Sequence, residues 1–300
     1  MKILITGNGG YLGVVITKKA LDEGHEVIGF DFSVQGNDFI NSLKNNPRFK
    51  QVVADLRDSN KIASLIKECD IVLHLAALVI VDSSTHRDKE MEEINRDVPI
   101  QIAQLCSQLN KKMIFASTCS VYGIQAVDKM VSEEYTKNPT TSYARTKSEA
   151  EEVLKNMHNV IICRLATAYG PSPRMRYDLF INEMTREAFN KKQINLFDSE
   201  IWRCYIHTED IARALLFIID KNNLKYNIYN IGSNEQNLRK IDIVNMIKKE
   251  LKDVKVNIIE NKKDIRNYRV DFSRLKNEGF NVEKSIHQGI REMINYLKKV

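Results

Sequence analysis

The chain has little of what would staple, anchor or scatter it. Its five cysteines stand at 69, 106, 119, 163 and 204, with no Cys-x-x-Cys and no framework spacing. That excludes a disulfide scaffold and suits free thiols in a reducing compartment. The six histidines are scattered, and no His/Cys pair has metal-ligand spacing, so no metal is expected. Long apolar runs are missing: the longest, Ile71 to Val81, is broken by His74 and cannot span a bilayer. Ile3–Ile5 leads straight into glycines, so nothing at the start reads as a signal peptide. The expectation is a cytoplasmic protein with no membrane partner. There is no internal repeat and no low-complexity tract. The net charge of +6 is spread over helix faces, as at Lys111-Lys112 and Lys248-Lys249. Without a basic arm interleaved with aromatics, nucleic acid is not an expected partner, whereas an anionic small substrate is compatible.

With 43% hydrophobic and 28% charged residues, 300 residues can bury the core of one large domain plus a smaller lobe. Strand-like runs at Lys2–Thr6, Glu26–Phe30, Lys50–Ala54, Ile71–Leu75, Met113–Ser117 and Val160–Leu165 alternate with amphipathic segments. Those segments are Leu12–Glu23, Asn60–Lys67, Glu90–Leu109 and Ser142–Met157. Near-continuous apolar strands separated by helices predict an α/β fold, a Rossmann-type doubly wound parallel sheet. After Gly170 and Pro171-Ser172-Pro173 the pattern turns mainly helical, at Leu179–Asn190, Thr208–Asp220, Leu238–Leu251 and Lys284–Lys299. The expected division is a dinucleotide domain over 1–165 and a substrate lobe over 166–300, with the chain returning to the main sheet near 226–231.

Gly7-Asn8-Gly9-Gly10-Tyr11-Leu12-Gly13 follows a strand and opens a helix. Glycines there let a phosphate approach the backbone N–H groups of a helix N-terminus, and the last one permits tight helix–sheet packing. Asp31 closes the second strand, where a carboxylate accepts both ribose hydroxyls and repels a 2′-phosphate. Phe32-Ser33 offers no arginine for such a phosphate, so the cofactor read from these residues is NAD rather than NADP.

Tyr143 and Lys147 stand four apart at the start of a predicted helix, on one face. A phenol is a poor base at neutral pH, and a neighbouring ammonium stabilises the phenolate. Upstream, Ala116-Ser117-Thr118-Cys119-Ser120-Val121-Tyr122-Gly123 ends another strand, on the edge where open α/β sheets bind ligands. A hydroxyl there can hold a substrate oxygen, and can equally satisfy its own backbone.

Gly7-x-x-Gly10-x-x-Gly13, Asp31, Asp55-Leu56, Leu75-Ala76-Ala77, Asn95, Thr118…Tyr122-Gly123 and Tyr143-x-x-x-Lys147 occur in the order and spacing of extended short-chain dehydrogenases/reductases. The chain resembles the NAD-dependent epimerase/dehydratase family that acts on nucleotide sugars. Arg164-Leu-Ala-Thr-Ala-Tyr169-Gly170-Pro171, Arg203-Cys-Tyr-Ile-His207-Thr-Glu-Asp210, Asp264-Ile-Arg266 and Leu275…Gly279-Phe280 extend the likeness into the second lobe. The resemblance implies that Gly7, Gly10, Tyr11, Leu12, Gly13, Asp31, Ser117 and Asn95 belong to the cofactor site. It puts Asp55 and Leu56 at the adenine, and Leu75, Ala76 and Ala77 near the phosphates and ribose. Lys147 would bond the nicotinamide ribose and tune Tyr143, the general acid/base, while Thr118 holds the substrate. Arg203, assisted by Arg266, would grip the diphosphate of a nucleotide-sugar substrate. A homodimer through Glu90–Leu109 and Ser142–Met157 is also implied, although the same spacing permits burial within one subunit.

Several departures narrow the chemistry. Thr118-Cys119-Ser120 stands where 4,6-dehydratases of the family resemble Thr-Asp-Glu, so dehydration is not expected. A glutamate of decarboxylating relatives is missing there too. What remains is reversible oxidation of one carbinol, most often C4 of the hexose. A 4-epimerase returns the ketone on its other face; a one-way hexose or heptose dehydrogenase or reductase releases it; and a degenerate relative would only sense NAD. Thr167 replaces the usual diphosphate-contacting asparagine, and Phe197-Asp198-Ser199-Glu200 replaces a Phe-Gly-x-Gly-like turn. Arg174-Met175-Arg176-Tyr177-Asp178-Leu179 is an arginine-rich insertion resembling a subgroup of surface-polysaccharide enzymes. Arg174 and Arg176 either restore the phosphate contact or are solvated loop charges. The nucleotide base stays open.

Overall fold

The computed structural model describes residues 1–79, 88–260 and 265–300. The first strands are β1 (Lys2–Thr6), β2 (Glu26–Asp31), β3 (Phe49–Val53), β4 (Ile71–His74), β5 (Lys112–Thr118) and β6 (Val160–Leu165). There follow β7 (Thr167–Tyr169), β8 (Gln193–Phe197), β9 (Trp202–His207), β10 (Ile228–Ile231), β11 (Asn237–Arg239) and β12 (Lys255–Ile259). A seven-stranded sheet runs in the order β10-β6-β5-β4-β1-β2-β3, and every pairing in it is parallel. This is the doubly wound Rossmann-type architecture. The order reverses between β1 and β4, which opens a crevice at the carboxyl ends of those strands.

Apolar side chains cover both faces of the sheet, as parallel strands require. Helices Tyr11–Asp22 and Thr208–Asp220 bury Ile16, Ala20, Ile211 and Leu215 on one face. Helices Ser59–Glu68, Val98–Gln108 and Ser142–Leu154 bury Ile62, Leu65, Ile102, Ala150 and Leu154 on the other. A third cluster joins helices Phe180–Lys191, Lys240–Glu250 and Ile286–Leu297 in the helical C-terminal portion. That portion also carries two small sheets, β11-β9-β7 and β12-β8, beyond the mainly helical lobe that the sequence predicts.

Where one helix is predicted over Glu90–Leu109, Asp88–Glu92 and Val98–Gln108 are joined by a π-helical turn, Glu93–Asp97. Such turns interrupt the ordinary ladder and re-aim a side chain. Asn95 lies in it, donating from Nδ2 to the Leu78 carbonyl at 2.9 Å and accepting from the Leu78 N–H at 2.8 Å.

Behind helix Ser142–Leu154 lies a buried ionic network. Glu151 receives Arg164 Nη2 at 2.8 Å, Arg164 Nε at 3.1 Å, Lys137 Nζ at 3.1 Å and Ser117 Oγ at 2.5 Å. Arg164 Nη1 donates onward to the Tyr122 hydroxyl and the Glu133 carbonyl. Removing one member leaves an uncompensated buried charge. Arg164→Met should therefore lower the unfolding free energy by about 3 kcal/mol or more. Chemical denaturation is the measurement, and the double variant Arg164→Met/Glu151→Met should recover part of the loss.

Candidate active site

The carboxyl ends of β1, β2, β4, β5 and β6 open into a cavity of about 1660 Å³, lined from both the sheet and the C-terminal portion. On the sheet side, Gly7 has φ +76°, and a Cβ there would lie 2.8 Å from the backbone of Ala76. A Cβ on Gly13 would lie 2.1 Å from the Gly7 carbonyl oxygen. Any side chain would part strand from helix and fill the cradle at the N-terminus of Tyr11–Asp22. Asp31 Oδ2 accepts the Gly9 N–H at 2.9 Å and Oδ1 accepts the Ser33 N–H at 3.2 Å. Burial raises its carboxyl from the ordinary value, with those two N–H groups opposing. Gly10, Tyr11, Leu12, Leu56, Leu75, Ala76, Ala77 and Ser117 line the same cavity. The Asp55 carboxylate lines it too, paired with Arg57 at 2.9 and 2.5 Å, which holds it below the usual carboxylate range. Asn95 is fully buried and clasps the Leu78 backbone, so it positions the loop after β4 rather than lining the cavity. A glycine cradle, a ribose-directed carboxylate and a cavity of this size fit NAD.

Helix Ser142–Leu154 starts where it does because Thr141 caps it, its Oγ1 accepting the Ala144 N–H at 3.2 Å. Tyr143 then sits in the first turn, facing the cavity. Lys147 lies one turn deeper, 1% exposed, with Nζ donating to the Ala116 carbonyl at 2.9 Å and standing 4.4 Å above the Phe115 ring. Thr118 ends β5, its Oγ1 accepting the Ser120 N–H at 3.1 Å, and its side chain lines the cavity. The Cys119 thiol points into the core and donates to the Arg164 carbonyl at 3.3 Å. Ser120 Oγ lies 3.5 Å from the Tyr268 hydroxyl.

The electrostatics of these residues differ from the sequence expectation. Lys147 is expected to draw the Tyr143 phenol down, yet burial pushes it up to about 12, with the Arg176 charge opposing. Burial also pulls Lys147 down to about 7, against the raising effect of Glu151. The reason is that Lys147 is turned to a backbone carbonyl inside the fold, where desolvation favours the neutral form of both groups. Next door, His74 accepts or donates to Thr6 Oγ1 at 2.9 Å, and burial with the Lys147 charge holds it down to about 3.

The cavity is also lined by Thr167, Arg174, Arg176, Arg203 and Arg266. Arg203 Nη1 donates to the Trp202 carbonyl at 2.7 Å and to that of Arg266, and its guanidinium packs on Tyr268. Arg176 is paired with Asp178 at 2.5 and 3.1 Å. Asp264 lies outside the described residues. Leu275 and Phe280 are core residues. Sequence reasoning missed Glu151, although Lys147-x-x-x-Glu151 repeats the spacing of the pair before it. It also left Ser172 and Asn182 unmarked, and nothing local signals their contacts with Tyr11.

The sequence model described as the NAD dependent epimerase/dehydratase family matches residues 3–232. A putative UDP-glucose 4-epimerase from Methanocaldococcus jannaschii is 26% identical over 311 residues, covering 99% of this chain and 98% of that protein. A Bacillus cereus UDP-glucuronic acid 4-epimerase, solved with UDP-glucuronic acid and NAD, is similar with a TM-score of 0.88. It is 26% identical and covers 100% of this chain and 99% of its own. A Bacillus anthracis dTDP-glucose 4,6-dehydratase, solved with NAD, has a TM-score of 0.86 at 22% identity, covering 100% of this chain and 97% of its own. That last likeness shows the fold alone. The same fold thus carries different reactions, and the residues at the strand end must choose between them.

Because the Lys147 ammonium is depressed from 10.5 to about 7 in the folded chain, the unfolded chain binds an extra proton between those values. Stability therefore rises with pH across that window, and the cost of burying the charge is full below pH 7. Lys147→Met should raise the melting temperature most at pH 6, the gain shrinking as pH rises towards 10. Thermal scans of both proteins across that range are the check.

Proposed function

The chain belongs to the NAD dependent epimerase/dehydratase family, and we propose that within it this protein is a nucleotide-sugar 4-epimerase. The observation that supports this reading is the end of β5. Thr118 and Tyr143 face one cavity, while Cys119 is turned into the core and Ser120 carries only a hydroxyl. Expelling water from the sugar needs a further acid and base, and this strand end supplies no carboxylate for them.

Bound NAD supplies the reversible two-electron oxidation of the carbinol. Thr118 Oγ holds the sugar oxygen, and the Tyr143 oxygen takes its proton and later gives it back. The Arg176 charge, which already draws the phenol down, favours the deprotonated form needed for the first half. Lys147 orients the ribose beside Tyr143, and Arg203 with Arg266 binds the diphosphate, for which guanidinium geometry is suited.

The arginine-rich segment 174–179 supports a place in surface-polysaccharide sugar synthesis in the cytoplasm. Among the described residues no helix is long and apolar enough to cross a membrane. Helices Asp88–Glu92 and Ser142–Leu154 already pair within one subunit, through Arg145–Glu92 at 3.2 Å. Their outer face, with Val153 exposed, supports a homodimer, and light scattering should return twice the 34.6 kDa of the chain.

The decisive assay incubates the protein with a panel of nucleotide sugars and follows NADH absorbance together with product stereochemistry. We expect a 4-epimer without NADH build-up. Stoichiometric NADH with a keto product would replace the epimerase by a one-way dehydrogenase. Tyr143→Phe should lower turnover by about 100-fold to 10,000-fold, and wild-type turnover in that variant would overturn Tyr143 as the acid/base on which the epimerase and dehydrogenase readings both rest.

A further inference from the structure

Between β7 and helix Phe180–Lys191, residues 170–178 form a strap that is latched to the glycine loop at one residue. The Tyr11 hydroxyl donates to the Gly170 carbonyl at 2.7 Å and receives Asn182 Nδ2 at 3.0 Å. Ser172 Oγ donates to the Tyr11 carbonyl at 2.8 Å and accepts the Arg174 N–H at 3.2 Å. Asn182 closes the frame, its Oδ1 accepting the Gly170 N–H at 3.0 Å and its Nδ2 donating to the Arg176 carbonyl at 3.0 Å. Tyr11 is 6% exposed and Ser172 only 2%, so the latch is buried. Gly170 has φ +111°, and a Cβ there would lie 2.4 Å from the His207 ring, so the strap has a fixed departure point.

The two arginines of the strap differ. Arg176 is consumed by Asp178, and its charge acts on Tyr143. The Arg174 guanidinium has no hydrogen bond or salt bridge among the described residues, it is exposed at the cavity, and its charge acts on Asp31. Arg174 thus leaves the strap beside the glycine loop and its helix N-terminus, one hydrogen bond from the Ser172 hydroxyl that holds the Tyr11 carbonyl. Sequence reasoning placed both arginines on the substrate.

We propose that Arg174 is a cofactor-binding residue, delivered by the Tyr11–Ser172 latch to the anionic diphosphate of NAD, where it slows escape of the dinucleotide. A guanidinium matches phosphate oxygens bidentately, and the glycine loop supplies N–H donors but no full positive charge. This deepens the epimerase reading and rests on it for its consequence: an enzyme that returns the ketone must keep the reduced cofactor until the second half of the cycle.

The test measures NADH release without any sugar present. Protein loaded with NADH is mixed with excess NAD, and the loss of bound-NADH fluorescence gives the release rate. Arg174→Gln should release NADH about 10-fold to 100-fold faster, the loss of one charge-assisted contact. Arg174→Lys should fall between it and wild type, and Ser172→Ala, which frees the strap, should also accelerate release. Equal rates in wild type and Arg174→Gln, with melting temperatures matched, would overturn the assignment. Faster NADH release supports it whichever sugar is turned over. Failure of the epimerase reading would appear separately, as keto product in the sugar panel, while the Arg174 result stood.

Discussion

Glu151 and Arg164 meet in the interior with 1% and 4% of their side chains exposed, and their pairing decides where helix Ser142–Leu154 can lie. Burying two charges costs several kcal/mol per ion unless the geometry and the remaining hydrogen bonds compensate. Here they do, because Ser117 on β5, Lys137 on the loop beyond it and Tyr122 on the turn after β5 supply those bonds. The network therefore sets the register of helix Ser142–Leu154 against β5 and β6. Tyr143, Lys147 and Glu151 repeat at four-residue spacing and so share one face. Fixing Glu151 at the buried end leaves Tyr143 no choice but to emerge at the cavity, beside Thr118.

The same burial that anchors the helix sets the charge state of its working groups. Lys147 depends on the Ala116 carbonyl and the Phe115 face, and Glu151 one turn on only partly offsets its desolvation. Tyr143 is pushed towards the phenol for the same reason. His74, one strand away, is held neutral by burial and by the Lys147 charge. Burial thus favours the neutral forms of Tyr143, Lys147 and His74, and the Arg176 charge works against it at Tyr143. Arg176, brought by the strap rather than by the sheet, is a cation that acts on the phenol.

Much of this was legible in the sequence, and the reason is periodicity. Six parallel strands read as apolar runs within a residue or two of their observed ends, and the glycine loop, Asp31 and Tyr143-x-x-x-Lys147 sit on the elements predicted for them. The small sheets were not legible because their strands are short: β7 and β11 span three residues each. In β8 the alternation of Ile194 and Leu196 with Asn195 and Phe197 was present, but five residues are too few to outweigh the helical patterns around them. The π-helical turn at Asn95 leaves no local signature at all. Nor does the latch, since Tyr11 meets Gly170 and Asn182 at separations of 159 and 171 residues.

That long-range contact explains why the two halves of the cavity cannot be treated as independent. Tyr11 belongs to the glycine loop by sequence and to the strap by hydrogen bonding, so whatever moves residues 170–178 pulls on the helix that faces the dinucleotide. Gly13 tolerates no side chain there, because a Cβ would lie 2.1 Å from the Gly7 carbonyl oxygen. The coupling needs no moving domain, only a buried tyrosine with partners on both sides. Neighbouring arginines divide along the same strap: the charge of Arg174 acts on Asp31 and that of Arg176 on Tyr143.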